Sequence, residues 1–243
     1  NTASGNQSSV SGGVSNQATT FFSNVSGGKN NTASGVSSSV TGGDDNIASG
    51  QVSSISGGRD SRANGIASSI TGGHENSAND LYSSVTGGTR NTASGTGSSV
   101  SGGALNISSG HHSNVSGGYS NQASNNKTSV SGGWKNHASG SHSTISGGFE
   151  NVASGYYSSI SGGAINKTLA DNSSVSGGQN NTASGISSSV SGGINNTASQ
   201  ISSSVSGGNL NVASGLGASV SGGFKRTAPD AFDWRAGGLL EDQ

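Results

Sequence analysis

The chain has 243 residues, a formal net charge of −1 and a hydrophobic fraction of only 27%. With 9% charged residues and no basic stripe, it lacks the cations that a nucleic-acid-binding protein uses to neutralise phosphates. No apolar run approaches the length of a membrane span, and the absence of cysteine and methionine is consistent with an oxidising exterior.

A fixed period runs through the whole chain. The dipeptide Gly-Gly recurs every fifteen residues, from Gly12-Gly13 to Gly237-Gly238, within the consensus N-T-A-S-G-x-x-S-S-V-S-G-G-x-x. We number the repeat positions 1 to 15 from Asn1. A short period sustained in this way indicates one supersecondary unit stacked on itself, so the sequence predicts a solenoid of sixteen 15-residue coils.

Two repeat positions are regularly apolar: Ala at position 3, and Val or Ile at position 10. Serine or threonine flanks both, as in Thr2-Ala3-Ser4 and Ser9-Val10-Ser11, and this alternation predicts short strands with one side chain directed inward. A helix would need apolar residues three and four apart. The sequence therefore predicts an all-β, parallel β-solenoid. Stacking aligns position 10 of successive coils in a core column, represented by Val10, Val25, Val40, Ile55 and Val130.

Glycine and asparagine hold other fixed positions of the repeat. The Gly-Gly pairs, such as Gly12-Gly13 and Gly117-Gly118, are expected to form turns that only glycine tolerates. Asparagine at position 1 shares the inward face with Ala3. We expect it to form a ladder in which each side-chain amide bonds to backbone or to the next asparagine.

The last unit departs from the pattern, which divides the chain into fifteen repeats over residues 1–225 and a divergent C-terminal unit over residues 226–243. Its segment Phe232, Asp233, Trp234, Arg235 has two interpretations. It is either a cap, in which Phe232, Trp234 and Leu239-Leu240 cover the end of the core column, or an adaptor that docks on the first coil of another copy. Because Asn1 begins an ordinary coil, we expect an open N-terminal edge there, and a head-to-tail contact of this kind builds a filament.

A row of aromatic residues marks the turn at positions 14 and 15, where most of the charges also lie. Tyr119, Trp134, Phe149 and Phe224 all occupy position 14, and the first three fall on consecutive coils. They are predicted to stack along one edge and to suit either surface glycans or lateral association. The alternative is simple mutual cover on a glycine-rich surface.

The run from Asn31 to Gly43, N-T-A-S-G-V-S-S-S-V-T-G-G, resembles the head repeats of trimeric autotransporter adhesins of the YadA type. Those heads are left-handed parallel β-rolls, so the resemblance implies a left-handed roll on a cell surface. The period here is fifteen rather than the fourteen usual in that family. Gly12 also stands where the family places a second apolar residue.

No constellation of catalytic or metal-binding residues recurs. The five histidines are scattered, no repeat position is regularly acidic, and no acid–base pair recurs beside a serine. We therefore predict no enzyme activity, no metal site and no cofactor.

The leading functional hypothesis is an extracellular structural protein, the subunit of a surface filament or adhesin rod that assembles end to end. Its predicted partners are other copies of itself and surface glycans, with no nucleic acid. The alternative is an ice-binding solenoid, because the outward Ser and Thr at positions 9 and 11 are unusually uniform. A polysaccharide-degrading fibre ranks last, since no carboxylate cluster is present.

Overall fold

The computed structural model describes residues 1–236, and the chain divides into two compact units, Asn1–Ser124 and Asn125–Gln243. Every strand in residues 1–236 is two residues long, and this part of the chain contains no helix. The all-β class predicted from the sequence is confirmed.

The strands of the first unit are β1 (Thr2–Ala3), β2 (Ser9–Val10), β3 (Gln17–Ala18), β4 (Asn24–Val25), β5 (Thr32–Ala33), β6 (Ser39–Val40), β7 (Ile47–Ala48), β8 (Ser54–Ile55), β9 (Arg62–Ala63), β10 (Ser69–Ile70), β11 (Ser77–Ala78), β12 (Ser84–Val85), β13 (Thr92–Ala93), β14 (Ser99–Val100), β15 (Ile107–Ser108), β16 (Asn114–Val115) and β17 (Gln122–Ala123).

The strands of the second unit are β18 (Ser129–Val130), β19 (His137–Ala138), β20 (Thr144–Ile145), β21 (Val152–Ala153), β22 (Ser159–Ile160), β23 (Lys167–Thr168), β24 (Ser174–Val175), β25 (Thr182–Ala183), β26 (Ser189–Val190), β27 (Thr197–Ala198), β28 (Ser204–Val205), β29 (Val212–Ala213), β30 (Ser219–Val220), β31 (Thr227–Ala228) and β32 (Trp234–Arg235).

Each unit contains two parallel sheets, one from the odd-numbered and one from the even-numbered strands. Neighbouring strands pair residues fifteen apart. In the first unit Thr2 pairs with Gln17, and in the second Ser129 pairs with Thr144. One turn of the chain per fifteen residues, with parallel strands in constant register, is a β-solenoid coil. The parallel β-solenoid predicted from the sequence is confirmed.

A third ladder, which the sequence did not indicate, runs along position 14. Isolated parallel bridges connect this position in successive coils, for example Val14 with Lys29 and Trp134 with Phe149. Position 14 was predicted to lie in a turn that faces solvent. Its side chains do face solvent, as Val14 does with 62% exposure, but its backbone is also hydrogen-bonded to the neighbouring coil.

The core is a thin column of small side chains. Val25, Val40, Ile55 and Val130 are at most 1% exposed, and the alanines at position 3 from Ala18 onwards are 0% exposed. Val10 belongs to the first coil and is only half-buried. Each coil contributes so little apolar surface that one coil alone cannot offset its chain entropy, and stability must come from stacking.

Buried asparagines form a ladder beside this column. The Nδ2 of Asn91 donates to the carbonyl oxygens of Gly87 and Gly103, both at 2.9 Å. Its Oδ1 accepts the backbone N–H of Asn106 at 3.0 Å. Each asparagine of this kind thus bonds to backbone groups of its own coil and the next, which satisfies polar groups that would otherwise be buried without partners.

The ladder is weakened at one position. Ser61 takes the place of asparagine, and its Oγ still accepts the N–H of Asn76 at 3.3 Å. Its own hydroxyl donates to the carbonyl of Arg59 at 3.2 Å. A serine has no amide group to reach the carbonyls of Gly57 and Gly73, the counterparts of the two acceptors in other coils.

The two glycines of each pair have different roles. Gly13 has a φ of 82°. A Cβ there would collide with the Gly28 carbonyl oxygen and with Asn16 Nδ2. Neither atom can move aside freely, because both belong to ladders of hydrogen bonds between coils. Gly118 also has a positive φ, of 85°. By contrast, a Cβ on Gly117 would meet nothing within 4 Å, and one on Gly12 would meet only the Ser26 carbonyl oxygen at 3.9 Å. Nothing in the structure explains the glycine at position 12.

Two further positions have left-handed backbone although they are rarely glycine. Position 7, from Gln7 to Phe232, and position 15, from Ser15 to Lys225, have φ between 51° and 60° wherever the residue is not glycine. Even β-branched Val52 and Ile165 adopt this conformation, which is unfavourable for such side chains. The N–H groups at these positions donate to carbonyl oxygens of the preceding coil, as that of Val52 does to the Val36 carbonyl at 2.8 Å.

Candidate functional surfaces

Charged residues form a network along positions 14 and 15 of the first unit. His74 Nε2 lies 3.5 Å from both Asp60 Oδ2 and Glu75 Oε1, and Arg59 Nε lies 3.6 Å from Asp60 Oδ2. Arg90 donates a hydrogen bond to Glu75. This hydrogen bond is the main reason why the pKa of Glu75 lies below its usual value. The side chains are exposed, so solvent screens the network and its contribution to stability is small.

Two neighbouring members of the predicted aromatic row are in contact. In the second unit, Trp134 and Phe149 meet edge to face, with ring centroids 5.5 Å apart and an interplanar angle of 88°. Lys135 Nζ lies 3.3 Å from Glu150 Oε1 beside them. These two rings were predicted to lie beside each other along one edge, and they are in contact there, edge to face.

The other two aromatic residues of position 14 lie on different parts of the chain. Tyr119 belongs to the first unit, where it bridges Ala104. Phe224 lies near the C-terminal end of the described residues, where Lys225 Nζ is 5.0 Å from its ring centroid. Neither glycan binding nor lateral association follows from these placements, and both stay predictions.

A more compact aromatic cluster lies on the opposite turn of the second unit. His142, Tyr156 and Tyr157 have ring centroids between 4.3 and 5.4 Å apart. His142 and Tyr157 are inclined by only 31°, whereas Tyr156 stands at 74° to Tyr157. We call these three residues the aromatic cluster. Its tyrosines remain about half exposed, at 44% and 52%.

Polar groups border the aromatic cluster. The Oδ1 of Asp171, one coil further on, accepts the backbone N–H of Tyr156 at 3.0 Å. The hydroxyl of Ser141 lies 3.1 Å from His142 Nδ1. A hydrogen bond with the hydroxyl of Tyr157, followed by burial, raises the pKa of Tyr156 above its usual value. A phenol is protonated at neutral pH and can donate a hydrogen bond.

The sequence analysis missed this cluster because positions 6 and 7 vary from coil to coil. One signal was available: His142 and Tyr157 occupy the same repeat position in consecutive coils, and Tyr156 precedes Tyr157 directly. Constant register places equal positions one above the other about 4.8 Å apart, which is stacking distance for rings.

The last coil keeps its backbone but changes its inward side chains. Thr227–Ala228 and Trp234–Arg235 still pair with the coil before them. Asp233 and Arg235 occupy positions 8 and 10, where other coils have serine and valine, and Arg235 Nε lies 3.0 Å from Asp233 Oδ2. The apolar column therefore ends at an ion pair.

The aromatic residues of this coil lie on its outer surface. Trp234 is 64% exposed and its Nε1 donates to Ser221 Oγ of the preceding coil at 2.9 Å. Phe232 is 77% exposed and its ring lies against Gly217. The interpretation in which these rings cover the end of the column is thus corrected, since Asp233 and Arg235 hold the inward positions. Leu239 and Leu240, proposed for the same role, lie outside the described residues.

Proline also changes the edge of the last coil. In the preceding coil, the N–H of Ser214 at position 4 donates to the Ala228 carbonyl at 2.9 Å. Pro229 occupies position 4 of the last coil and has no N–H to donate onward. Proline and inward-pointing charges are the usual means by which proteins prevent a sheet edge from pairing. Continuation of the same ladders beyond this coil is therefore disfavoured.

The outward serine and threonine residues form regular rows on each unit. Position 11 is exposed in every described coil, while position 9 lies beside it and is partly shielded in most coils. Neighbouring side chains along a row can bond to each other, as Ser99 Oγ does to Asn114 Oδ1 at 2.8 Å. These rows are polar and carry no charge.

Two other kinds of site are absent from residues 1–236. No group of three histidine, aspartate or glutamate side chains there is arranged to hold a metal ion. That part of the chain also has no helix with the length and apolar character needed to traverse a lipid bilayer.

Part of the second unit matches a known protein family. Residues 143–155, within the second unit, match the family described as Ubiquitous surface protein adhesin repeat. No curated protein matches the chain. The matched segment is short and lies between His142 and Tyr156 of the aromatic cluster. Together with the solenoid fold, it supports an adhesin-like repeat and a structural role at a surface.

Proposed function

We propose that the protein is an extracellular structural solenoid of a cell surface, related to the YadA-type adhesin heads, and that its copies associate end to end. Its role is to present its side surfaces to the surroundings rather than to catalyse a reaction. The observation that carries the proposal is the adhesin-repeat match at residues 143–155 within an otherwise uniform β-solenoid.

The composition of the coils supports this role. Nearly all apolar side chains at positions 3 and 10 are buried, and the outward rows consist of uncharged serine and threonine. Such a scaffold tolerates substitutions at positions 6, 7, 14 and 15 without loss of its ladders. It can therefore carry different binding groups on different coils.

The last coil suggests how end-to-end association would occur. Because Pro229 and the Asp233–Arg235 pair oppose continued ladders, we propose contact through side chains instead. Phe232 and Trp234 are the exposed apolar groups available for it, and large exposed aromatic residues are frequent in protein interfaces.

Electron microscopy and analytical ultracentrifugation of the purified protein test this association. We expect concentration-dependent linear assemblies that the double variant Phe232→Ser, Trp234→Ser reduces to single chains. The matched control is Phe21→Ser, Phe22→Ser, which removes a similar exposed aromatic pair from the second coil and should leave assembly unchanged. Single chains that shape growing ice crystals would contradict the proposal and favour the ice-binding alternative.

A further inference from the structure

We propose that the aromatic cluster of His142, Tyr156 and Tyr157, with Asp171 and Asn172 beside it, binds a neutral pyranose sugar of a surface glycan. The inference deepens the adhesin role proposed above, because it names a ligand class and the residues that recognise it. It also moves the glycan site from position 14, where the sequence predicted it, to the turn at positions 6 and 7.

The first argument is the exposed ring face. Position 7 of consecutive coils holds Lys127, His142, Tyr157 and Asn172, joined through backbone bonds such as Asn172 N to Tyr156 O at 2.8 Å. His142 lies against one side of Tyr157. In the next coil the same position holds Asn172, which carries no ring, and Tyr157 is 52% exposed, so we infer that its second face is open to a ligand. A pyranose presents a face of C–H groups that suits an aromatic ring of this kind.

The second argument is the placement of polar groups around that face. The Tyr156 ring stands at 74° to Tyr157 and brings a phenol to its side. Asp171 is held in place by the backbone N–H of Tyr156, at 3.0 Å. The carboxamide of Asn172 adds both a donor and an acceptor. An apolar surface with a few fixed hydrogen-bonding groups is the usual composition of a small-ligand site.

The third argument concerns charge. Positions 6 and 7 of these four coils contain one cation, Lys127 in the first coil, and one anion, Asp171 in the last, and both are exposed. Since Asp171 accepts the backbone N–H of Tyr156, next to Tyr157, an acidic sugar would be repelled there. A neutral hexopyranoside fits this arrangement, because a neutral sugar can be recognised through ring contact and hydrogen bonds without an ion pair.

The test is a titration of the purified full chain with methyl glycosides of glucose, galactose, mannose, N-acetylglucosamine and N-acetylgalactosamine, followed by ligand-observed NMR. We expect at least one glycoside to bind saturably. The variant Tyr157→Asn should weaken its binding by about tenfold, the value of one aromatic contact. Asparagine is chosen because Asn172 occupies the same position at a φ of 57°, so the coil should remain folded.

The matched control is Tyr82→Asn. Tyr82 also occupies position 7, with a φ of 55° and 65% exposure, but it has no aromatic ring in the coils on either side, where Ala67 and Gly97 stand at that position. Its loss should leave binding unchanged. The inference is overturned if no glycoside binds saturably, or if Tyr82→Asn weakens binding as much as Tyr157→Asn. Because the titration reports sugar binding at His142, Tyr156 and Tyr157 and not assembly through the last coil, its failure leaves the proposed surface location and end-to-end association unaffected.

Discussion

Replacing Gly103 with alanine is expected to destabilise the first unit by about 3 kcal/mol, whereas the same change at the adjacent Gly102 should be nearly neutral. Gly103 has a φ of 80°, and a Cβ there would collide with the Gly118 carbonyl and lie 2.6 Å from Asn106 Nδ2. A Cβ on Gly102 would meet nothing within 4 Å. Urea unfolding followed by circular dichroism measures both effects.

The Gly102→Ala variant serves as the internal control, because it adds the same methyl group one residue away. It removes backbone freedom from the unfolded chain, so a small gain of up to about 1 kcal/mol is expected where the native φ suits alanine. Equal losses in the two variants would show that the turn has a different geometry from the one described here.

Truncating a ladder asparagine should have an effect of similar size. Asn91→Ala removes two hydrogen bonds donated by Nδ2 and one accepted by Oδ1, all made by a side chain that is 0% exposed. At about 1 kcal/mol each, the expected loss is about 3 kcal/mol in the free energy of unfolding. Thermal and urea unfolding of the full chain provide the measurement.

The natural interruption of the ladder supplies the opposite test. Ser61→Asn should restore the bonds to the Gly57 and Gly73 carbonyls and raise the free energy of unfolding by about 1 to 2 kcal/mol. Asn91→Ser, which reproduces the natural interruption in another coil, should lie between wild type and Asn91→Ala. A destabilising Ser61→Asn would contradict the assigned role of position 1.

Much of the fold could be predicted because its determinants repeat. A single valine such as Val25 is only weak evidence for a strand. The same residue type at the same position in successive coils identifies both the strand and its inward face. The register follows from the period itself, since a parallel stack of equal coils can only pair each residue with the one fifteen further on, as Thr2 does with Gln17. Repetition thus converted a weak local signal into a strong one.

The left-handed positions could not be predicted in this way. Position 7 holds valine in Val52, tyrosine in Tyr157 and histidine in His142, all with positive φ. Intrinsic preference opposes this conformation for each of them. The ladder of backbone hydrogen bonds imposes it, and that constraint arises only once the coils are stacked.

The candidate functional surfaces were harder to predict than the fold, because they depend on side chains at the variable positions of the repeat. The sequence directed attention to Trp134 and Phe149, where aromatic residues recur at position 14. It did not reveal that Tyr156 and Tyr157 converge on His142, since this requires the turn geometry at positions 6 and 7. Likewise, Arg235 was recognisable as atypical, but its pairing with Asp233 in place of the core column was not.

The central claim is that fifteen residues make one coil and that coils stack in constant register. Distances between spin labels test it directly, because the chain has no cysteine and introduced cysteines provide the only attachment points. Ser99→Cys would be combined in turn with Ser39→Cys, Asn24→Cys and Ser9→Cys, all at outward position 9 of the first unit. The account predicts separations of about 19, 24 and 29 Å, a constant step of about 4.8 Å for each fifteen residues. Separations that do not increase in equal steps with coil number would contradict it.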